Sequence, residues 1–256
     1  MLGAIVGDMI GSRFERNNVK RLSFPLFVED CRFTDDSVLT FAVADCVLNG
    51  SDYAATIRRY AREYPDRGYG SQFLDWSLSD SAGPYNSYGN GSAMRVSPIG
   101  FAYDSEETVL EEAYKSAAVT HDHPEGLKGA QAVALAVFLA RTVGDKELIR
   151  KRIKVQFGYD LDRTIESIRP TYEFNASCQG SVPEAIIAFL DSENFEDAVR
   201  KAVSLGGDTD TIASMAGAIA QAYYKEIPVE IQREVWDRLP EPLSVLLAAF
   251  CAKYPV

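Results

Sequence analysis

Two acidic segments carry the side chains best suited to chemistry in this sequence. One is Thr34-Asp35-Asp36-Ser37, and the other is Gly206-Gly207-Asp208-Thr209-Asp210-Thr211. Each combines two carboxylates with hydroxyl groups immediately before an apolar helical pattern. The first turn of a helix favours negative charge, because its N–H groups lack partners and it lies at the positive end of the helix dipole. Each segment is therefore predicted to start a helix, with N-capping as one explanation of its composition.

Capping alone explains the two segments poorly. One N-cap needs one oxygen acceptor, whereas these segments supply four carboxylates and the hydroxyls of Thr34 and Thr211. Crowded carboxylates raise one another's pKa unless a cation neutralises them. Oxygen ligands without Cys or His select hard ions such as Mg²⁺, Mn²⁺ or Ca²⁺. If the two helix starts converge, their carboxylates could bridge a pair of ions about 3.5 to 4 Å apart, as in many hydrolases.

A turn-rich segment and a histidine pair are further candidates for ligand contact. Residues 87–95 read Ser-Tyr-Gly-Asn-Gly-Ser-Ala-Met-Arg and offer free backbone N–H groups, an aromatic ring and a guanidinium. These groups suit phosphate and base contacts, although an ordinary surface turn is the alternative. The two histidines, His121 and His123, lie between two helical patterns. They either line a pocket or serve a structural role at helix ends.

Helical periodicity indicates the elements that must position these residues. Apolar residues recur at spacings of three and four over residues 38–48, 107–119, 127–140 and 212–224. Strand-like alternation is nearly absent. Asp145 and Asn194 are predicted to start helices, and Pro183 is predicted in the first turn of a helix that runs to residue 190. We expect one all-α domain over residues 1–256.

The N-terminal segment is apolar but does not predict export or membrane insertion. It lacks a basic region, and Asp8 and Arg13 interrupt the apolar stretch before it could cross a bilayer. Gly3, Gly7 and Gly11 recur every four residues, which favours close helix packing. Glu15 follows that segment, and by itself it would be read as a solvated acid.

Composition limits the partners that we expect. Hydrophobic residues make up 46% and charged residues 25%, as in ordinary globular proteins. The net charge of −11 disfavours nucleic acid, since no stripe of Lys and Arg offsets it. The four cysteines form no CxxC pair, which predicts neither a zinc site nor disulfides. We therefore expect a cytoplasmic monomer without a nucleic-acid or membrane partner.

Five motifs, in order along residues 3–228, resemble the ADP-ribosylglycohydrolase family, which includes the glycohydrolase that reactivates ADP-ribosylated dinitrogen reductase. They lie at residues 3–15, 33–36, 87–95, 120–124 and 206–213. The resemblance implies an all-α fold with a binuclear magnesium or manganese centre at the base of an ADP-ribose cleft. The implied metal ligands are Thr34, Asp35, Asp36, Asp208, Asp210 and Thr211.

The resemblance also implies substrate contacts. The loop that wraps the diphosphate and distal ribose in relatives matches Ser87, Tyr88, Gly89, Asn90 and Gly91. Ser92 and Arg95 of the same motif are included as predicted substrate-binding residues, and His121 matches a pocket histidine. Glu15 matches a glutamate on a mobile flap. Two departures are that Ser37 stands where Thr is frequent and that the chain is shorter than several relatives.

The function expected from these residues is hydrolysis of an ADP-ribose linkage. We hypothesise that two Mg²⁺ or Mn²⁺ ions hold the 2″ and 3″ hydroxyls of the distal ribose and position a water at C1″. Asp35 or Asp36 could orient or deprotonate that water, and Glu15 could assist the leaving group. ADP-ribosyl-arginine on a protein is the leading substrate, and a serine-linked or O-acyl ADP-ribose conjugate is the alternative.

Two other classes of function stay open at this stage. One is a non-catalytic ADP-ribose binder or a structural protein, since crystallins of some animals use the family's fold. The other is an unrelated metal-dependent phosphohydrolase. The complete set of metal-site carboxylates favours the enzyme over the binder, although fold alone would not support that choice.

Overall fold

The computed structural model describes residues 1–255, and helices make up its regular structure. No strand occurs in that range, and Gly89 and Ser177 form an isolated bridge. The predicted all-α fold is confirmed. The helices are α1 (Leu2–Gly11), α2 (Asp35–Asn49), α3 (Tyr53–Glu63), α4 (Ser71–Leu78), α5 (Gly91–Met94), α6 (Ser97–Ala102), α7 (Glu106–Ala118), α8 (Pro124–Thr142), α9 (Lys146–Phe157), α10 (Ile165–Ile168), α11 (Cys178–Leu190), α12 (Phe195–Ser204), α13 (Thr209–Tyr224), α14 (Val229–Arg238) and α15 (Glu241–Lys253).

Most of the predicted helix positions agree with the structure. The four periodic runs correspond to α2, α7, α8 and α13, with differences of a few residues at their ends. Asp145 caps α9 by accepting hydrogen bonds from the N–H groups of Glu147 and Leu148. Asn194 caps α12 by accepting from the N–H of Asp197. Short polar side chains at these positions satisfy the first N–H groups of each helix, as expected.

The predicted start of α11 is wrong. Pro183 lies inside this helix rather than in its first turn, because α11 begins at Cys178. Ser177 caps the helix by accepting from the N–H of Gly180, and Cys178 and Val182 are buried. The cap and the burial of this first turn extend the helix upstream, although proline cannot donate the usual backbone hydrogen bond.

Helices α1 and α13 pack with their backbones in close contact. All ten residues of α1 are buried, and Gly3, Gly7 and Gly11 face α13. A Cβ atom on Gly7 would lie 2.0 Å from the carbonyl oxygen of Ala213, so no side chain fits there. The predicted role of these glycines in close helix packing is confirmed. This contact places the end of α1 against the start of α13, where the Thr209 hydroxyl donates to the carbonyl of Gly11 at 2.8 Å.

The buried apolar side chains form one continuous cluster that includes residues from α1, α2, α8, α11 and α13. The two acidic segments lie at the N-termini of α2 and α13, so this core fixes the helices that carry them. None of the helices within residues 1–255 combines the length and apolarity needed to cross a membrane.

Candidate active site

The two acidic segments meet in the structure. The Thr211 hydroxyl donates a hydrogen bond to Oδ2 of Asp36 at 3.1 Å. Carboxylate oxygens of Asp8, Asp36 and Asp210 lie within 4.8 Å of one another, and so do those of Glu15, Asp208 and Asp210. Asp210 belongs to both groups. The convergence hypothesised from the sequence is therefore present, and it assembles a cluster of oxygen ligands.

Asp8 is a part of this site that sequence reasoning missed. Its buried carboxylate accepts hydrogen bonds from the backbone N–H and hydroxyl of Thr34, at 2.9 and 2.6 Å, and from the N–H and hydroxyl of Ser37. Asp8 on α1 thus fixes the position of the N-terminal end of α2 through these hydrogen bonds. A lone acid in an otherwise apolar, buried helix was the available signal, because a buried charge needs partners.

N-capping accounts for only a small part of the acidic segments. Thr34 does cap α2, since its hydroxyl oxygen accepts from the N–H of Asp36 at 3.4 Å. Asp208 occupies the N-cap position of α13 but accepts no capping hydrogen bond there. Its Oδ2 instead accepts from the Asn90 side-chain amide at 2.8 Å. Capping therefore does not explain the Asp208 carboxylate.

Electrostatics indicate that the cluster suits a cation. Burial, followed by the neighbouring Asp210 carboxylate, raises the pKa of Asp36 well above its usual range. Burial and then Asp208 raise the pKa of Asp210 well above its usual range. Oδ1 of Asp36 is buried and has no hydrogen-bond partner among residues 1–255. A bound divalent ion would offset the repulsion and supply the missing partner, so this donor set fits Mg²⁺ or Mn²⁺.

Glu15 lies beside the second acidic segment, on the irregular stretch after α1. It is half-buried, and its carboxylate joins those of Asp208 and Asp210. Burial and then Asp208 raise its pKa, while Arg16 and Arg32 act in the opposite direction. The structure therefore places Glu15 at the acidic cluster.

A cavity of about 460 Å³ lies directly above the carboxylates. This volume falls within the usual range for small-molecule sites. Most of the predicted site residues line it: Glu15, Thr34, Asp35, Asp36, Ser87, Gly89, Asn90, Gly91, Arg95, His121, Asp208, Asp210 and Thr211. The turn-rich loop, the histidine and both acidic segments thus surround one space.

Two predicted substrate contacts do not line this cavity. The Tyr88 ring is 54% exposed and lies against the His123 ring, with the ring centres 5.5 Å apart. Ser92 is fully buried and its hydroxyl donates to the carbonyl of Gly126 at 2.7 Å. The structure therefore does not bring these two side chains together with the rest of the site.

Arg95 borders the cavity from behind, because its side chain has no exposed surface. Its Nη2 donates to the carbonyl of Ser116 at 2.7 Å and to the hydroxyl of Thr120 at 2.9 Å. Burial lowers the pKa of Arg95 to about 10, so the guanidinium is still charged at neutral pH. Ser116 and Thr120 therefore hold the Arg95 side chain, and its direct contact with substrate stays a prediction.

The two histidines have different roles. His123 caps α8, since its Nδ1 accepts from the N–H of Glu125 at 3.1 Å. His121 is buried and lines the cavity. The sequence left a structural and a pocket role open for the pair, and the structure assigns one role to each histidine.

The fold and the site together define an all-α protein in which a cluster of carboxylate oxygens, suited to a hard divalent ion, lies at a cavity large enough for a small molecule. A family model described as ADP-ribosylglycohydrolase matches residues 1–254. The human ADP-ribosylhydrolase ARH3 is 31% identical, over 88% of this chain and 84% of its own. The mouse ARH3 is 30% identical, over 91% of this chain and 85% of its own.

More distant relatives agree. ADP-ribosylarginine hydrolase Tri1 of Pseudomonas putida is 24% identical, over 95% of this chain and 75% of its own. A solved structure described as an ADP-ribosylglycohydrolase-related protein complex superposes with a TM-score of 0.73 and 26% identity, covering 99% of this chain and 97% of that one. The chain belongs to the ADP-ribosylglycohydrolase family. It is an enzyme, a hydrolase of ADP-ribose glycosidic bonds.

Proposed function

We propose that the protein cleaves the bond at C1″ of ADP-ribose in a modified protein or a small ADP-ribose conjugate, using two Mg²⁺ or Mn²⁺ ions. The observation that supports two ions is the position of Asp210, which belongs to two separate groups of clustered carboxylates below the cavity. In a two-metal hydrolase site, a carboxylate that belongs to both groups would help to hold both ions.

The proposed metal ligands are six residues from the two acidic segments: Thr34, Asp35, Asp36, Asp208, Asp210 and Thr211. When bound, the ions would supply positive charge that polarises sugar hydroxyls and lowers the pKa of a water. The chain prepares this site, because Asn90 orients Asp208 and Asp8 orients the first turn of α2. Ligands held in this way keep their geometry before an ion arrives.

Carboxylates at the cavity wall are the proposed proton-handling groups. Asp35 is partly exposed at the start of α2, and its N–H donates to the carbonyl of Arg67 at 3.0 Å. Glu15 faces Asp208 from the stretch after α1. We assign Asp35 or Asp36 to the attacking water and Glu15 to the leaving group, the two roles that two-carboxylate glycoside hydrolysis requires.

The loop at residues 87–91 is the proposed cradle for the rest of the ADP-ribose. A Cβ on Gly89 would lie 3.2 Å from the Ser87 hydroxyl, and one on Gly91 would lie 3.3 Å from Nε2 of His121. Glycines at these positions keep space open between the loop and the histidine. A ligand can therefore approach the backbone closely.

The leaving group has two candidates, each supported by different residues. The carboxylates of Glu15 and Asp35 at the cavity wall would attract a guanidinium and thus support ADP-ribosyl-arginine. Arg16, Arg32 and Arg67 line the same cavity and would repel a cationic leaving group. These arginines favour the second candidate, a neutral oxygen-linked leaving group such as serine or an acyl group.

One experiment tests activity, linkage and metal together. The protein would be incubated with an ADP-ribosyl-arginine peptide, an ADP-ribosyl-serine peptide and O-acetyl-ADP-ribose, with EDTA or with added Mg²⁺, and free ADP-ribose would be measured. We expect release that depends on Mg²⁺ and is abolished in Asp36→Asn and Asp210→Asn. Binding without release from any substrate would overturn the proposed hydrolysis. A parallel incubation with ATP, in which inorganic phosphate is measured, tests the phosphohydrolase, and phosphate release there would indicate that class instead.

A further inference from the structure

A chain of buried hydrogen bonds reaches the cavity from behind through Arg95, Thr120 and His121. All three side chains are buried, with exposed fractions of 0%, 0% and 4%. Nη2 of Arg95 donates to the Thr120 hydroxyl at 2.9 Å, and that hydroxyl lies 2.7 Å from Nδ1 of His121. Both distances are those of well-formed hydrogen bonds.

The direction of the second hydrogen bond follows from the single hydrogen on the Thr120 hydroxyl. The oxygen already accepts from the Arg95 guanidinium, which can only donate. Its own hydrogen can go to Nδ1 of His121 at 2.7 Å or to the carbonyl of Ala117 at 3.5 Å. If Nδ1–H donated instead, the hydroxyl hydrogen would be left with the Ala117 carbonyl at 3.5 Å, which already accepts from the N–H groups of Thr120 and His121. The arrangement in which the hydroxyl donates and Nδ1 accepts avoids this weak bond. Nδ1 is therefore unprotonated.

The other ring nitrogen of His121 faces the ligand side. Nε2 would lie 3.3 Å from a Cβ on Gly91 and 3.6 Å from a Cβ on Gly89, and both glycines line the cavity. Burial and the charge of Arg95 lower the pKa of His121 well below its usual range, so the ring is neutral. A neutral ring that accepts at Nδ1 carries its proton on Nε2.

We propose that Arg95 and Thr120 are positioning residues that hold His121 as the Nε2–H tautomer, so that its ring presents a fixed hydrogen-bond donor to an oxygen of the ligand in the cavity. The opposite tautomer would turn the lone pair of Nε2 toward the ligand. A phosphate or carbonyl oxygen is also an acceptor, so it could not form a hydrogen bond with that nitrogen. The identity of the ligand as ADP-ribose rests on the proposed function, whereas the tautomer does not.

The chain offers a direct test, since it contains only two histidines. The full-length protein would be labelled with ring-¹⁵N histidine, and the ring nitrogens would be observed by NMR near neutral pH. His123→Asn, which keeps a capping side chain on α8, assigns the remaining signals to His121. We expect a protonated Nε2 and an unprotonated Nδ1. A protonated Nδ1 on His121 in the unsubstituted protein would overturn the proposal.

Variants of Thr120 separate positioning from mere packing. Thr120→Val keeps the shape of the side chain and removes the hydroxyl, so we expect both tautomers to become populated. Thr120→Ser restores the hydroxyl and is expected to restore the single tautomer. ADP-ribose affinity, measured by calorimetry with Mg²⁺, should fall about tenfold in Thr120→Val, as the loss of one oriented hydrogen bond predicts, and should recover in Thr120→Ser.

The outcomes distinguish this proposal from the proposed function. An unchanged ring-nitrogen pattern in Thr120→Val would overturn the positioning role, whatever the affinity for ADP-ribose. If the unsubstituted protein shows the expected tautomer but binds no ADP-ribose, the positioning role stands and the proposed function fails. His123→Asn is expected to leave ADP-ribose affinity unchanged, which excludes a general effect of histidine replacement.

Discussion

The hydroxyl of Thr211 donates to Oδ2 of Asp36 across 3.1 Å, although 175 residues separate them in the chain. This contact joins the N-terminal ends of α2 and α13, and each end carries two carboxylates, counting Asp208 at the N-cap position of α13. The bond leaves Oδ1 of Asp36 without a partner within residues 1–255. Asp36 is therefore oriented by Thr211 and still has one oxygen available for an ion.

Loss of one carboxylate from this cluster should weaken metal binding. In Asp36→Asn we expect the affinity for Mn²⁺ or Mg²⁺, measured by calorimetry, to fall by about 10-fold to 100-fold or more, since a neutral amide is a weaker ligand for a hard ion. Asp75→Asn is the matched control, because Asp75 is exposed on α4. Equal affinity in Asp36→Asn and the unsubstituted protein would exclude Asp36 as a ligand.

Metal removal should destabilise the fold, and the effect should depend on Asp210. Without an ion, the buried carboxylates repel one another, so EDTA should lower the melting temperature and Mg²⁺ should raise it. Asp210→Asn removes one of the repelling charges, so without metal we expect it to be about 1 kcal/mol more stable than the unsubstituted protein. It should also gain little from Mg²⁺. Thermal denaturation with and without Mg²⁺ measures the stability without metal and the rise in melting temperature that Mg²⁺ causes. A rise in Asp210→Asn as large as that of the unsubstituted protein would contradict this prediction.

The outcome for the acidic segments shows what local sequence can predict. Four carboxylates at two predicted helix starts exceed what capping needs. Residues 34–36 and 208–211 alone therefore predicted a cluster of oxygen ligands for a hard metal ion. The convergence of α2 and α13 did not follow, because it depends on the packing of α1 against both helices. The spacing of Gly3, Gly7 and Gly11 indicated close packing of α1 but named no partner.

Burial determines which side chains of a motif can contact a ligand, and a motif does not reveal burial. Arg95 and Ser92 belong to the same motif as Gly89 and Gly91, yet both are fully buried behind the loop. Within a short motif, the sequence does not distinguish a side chain that faces the ligand from one that supports the loop. Asp8 is the opposite case, because it belongs to the site although no site role was predicted for it. Its four hydrogen-bond donors come from Thr34 and Ser37, far along the chain.

Replacement of Asp8 should reduce the stability of the fold. Asp8→Asn puts an amide NH₂ where the carboxylate accepted hydrogen bonds, so at least one buried donor of Thr34 or Ser37 loses its acceptor. We expect a loss of about 2 to 4 kcal/mol in the free energy of unfolding, measured with urea. Asp30→Asn, at an exposed position, should change it by less than about 0.5 kcal/mol. Equal stability of the two variants would show that the hydrogen bonds to Asp8 contribute little.

The contact between α1 and α13 should tolerate no side chain at Gly7. In Gly7→Ala the new methyl group would lie 2.0 Å from the carbonyl oxygen of Ala213, so the helices must separate. We expect a loss of about 3 kcal/mol or more, in the upper range for overpacked cores. Gly83→Ala is the control, because nothing lies within 4 Å of a Cβ there. Thermal denaturation compares the two variants, and a fully stable Gly7→Ala would show that α1 can shift at little cost.

The segment that carries Glu15 is fastened to the second acidic segment by Asn18. Its side-chain NH₂ donates to the carbonyls of Phe14 and Glu15, at 2.7 and 3.0 Å, and its side-chain oxygen accepts from the N–H of Gly207 at 2.7 Å. Gly206 and Gly207 both adopt left-handed backbone angles, with φ of +73° and +71°, and Asp208 follows directly. Asn18 therefore connects the position of Glu15 to that of Asp208.

Removal of this connection should release Glu15 without unfolding the protein. In Asn18→Ala we expect faster amide hydrogen exchange over residues 12–20, because an exposed stretch held by few contacts opens locally. We also expect kcat to fall about 10-fold, equivalent to about 1.4 kcal/mol in the activation barrier. Asn18→Asp keeps the acceptor for Gly207 but loses both donors to the Glu15 side, so its exchange should rise less. Asn17→Ala, at the exposed neighbouring position, is expected to resemble the unsubstituted protein. Faster exchange in Asn18→Ala with an unchanged kcat would show that the position of Glu15 does not limit the reaction.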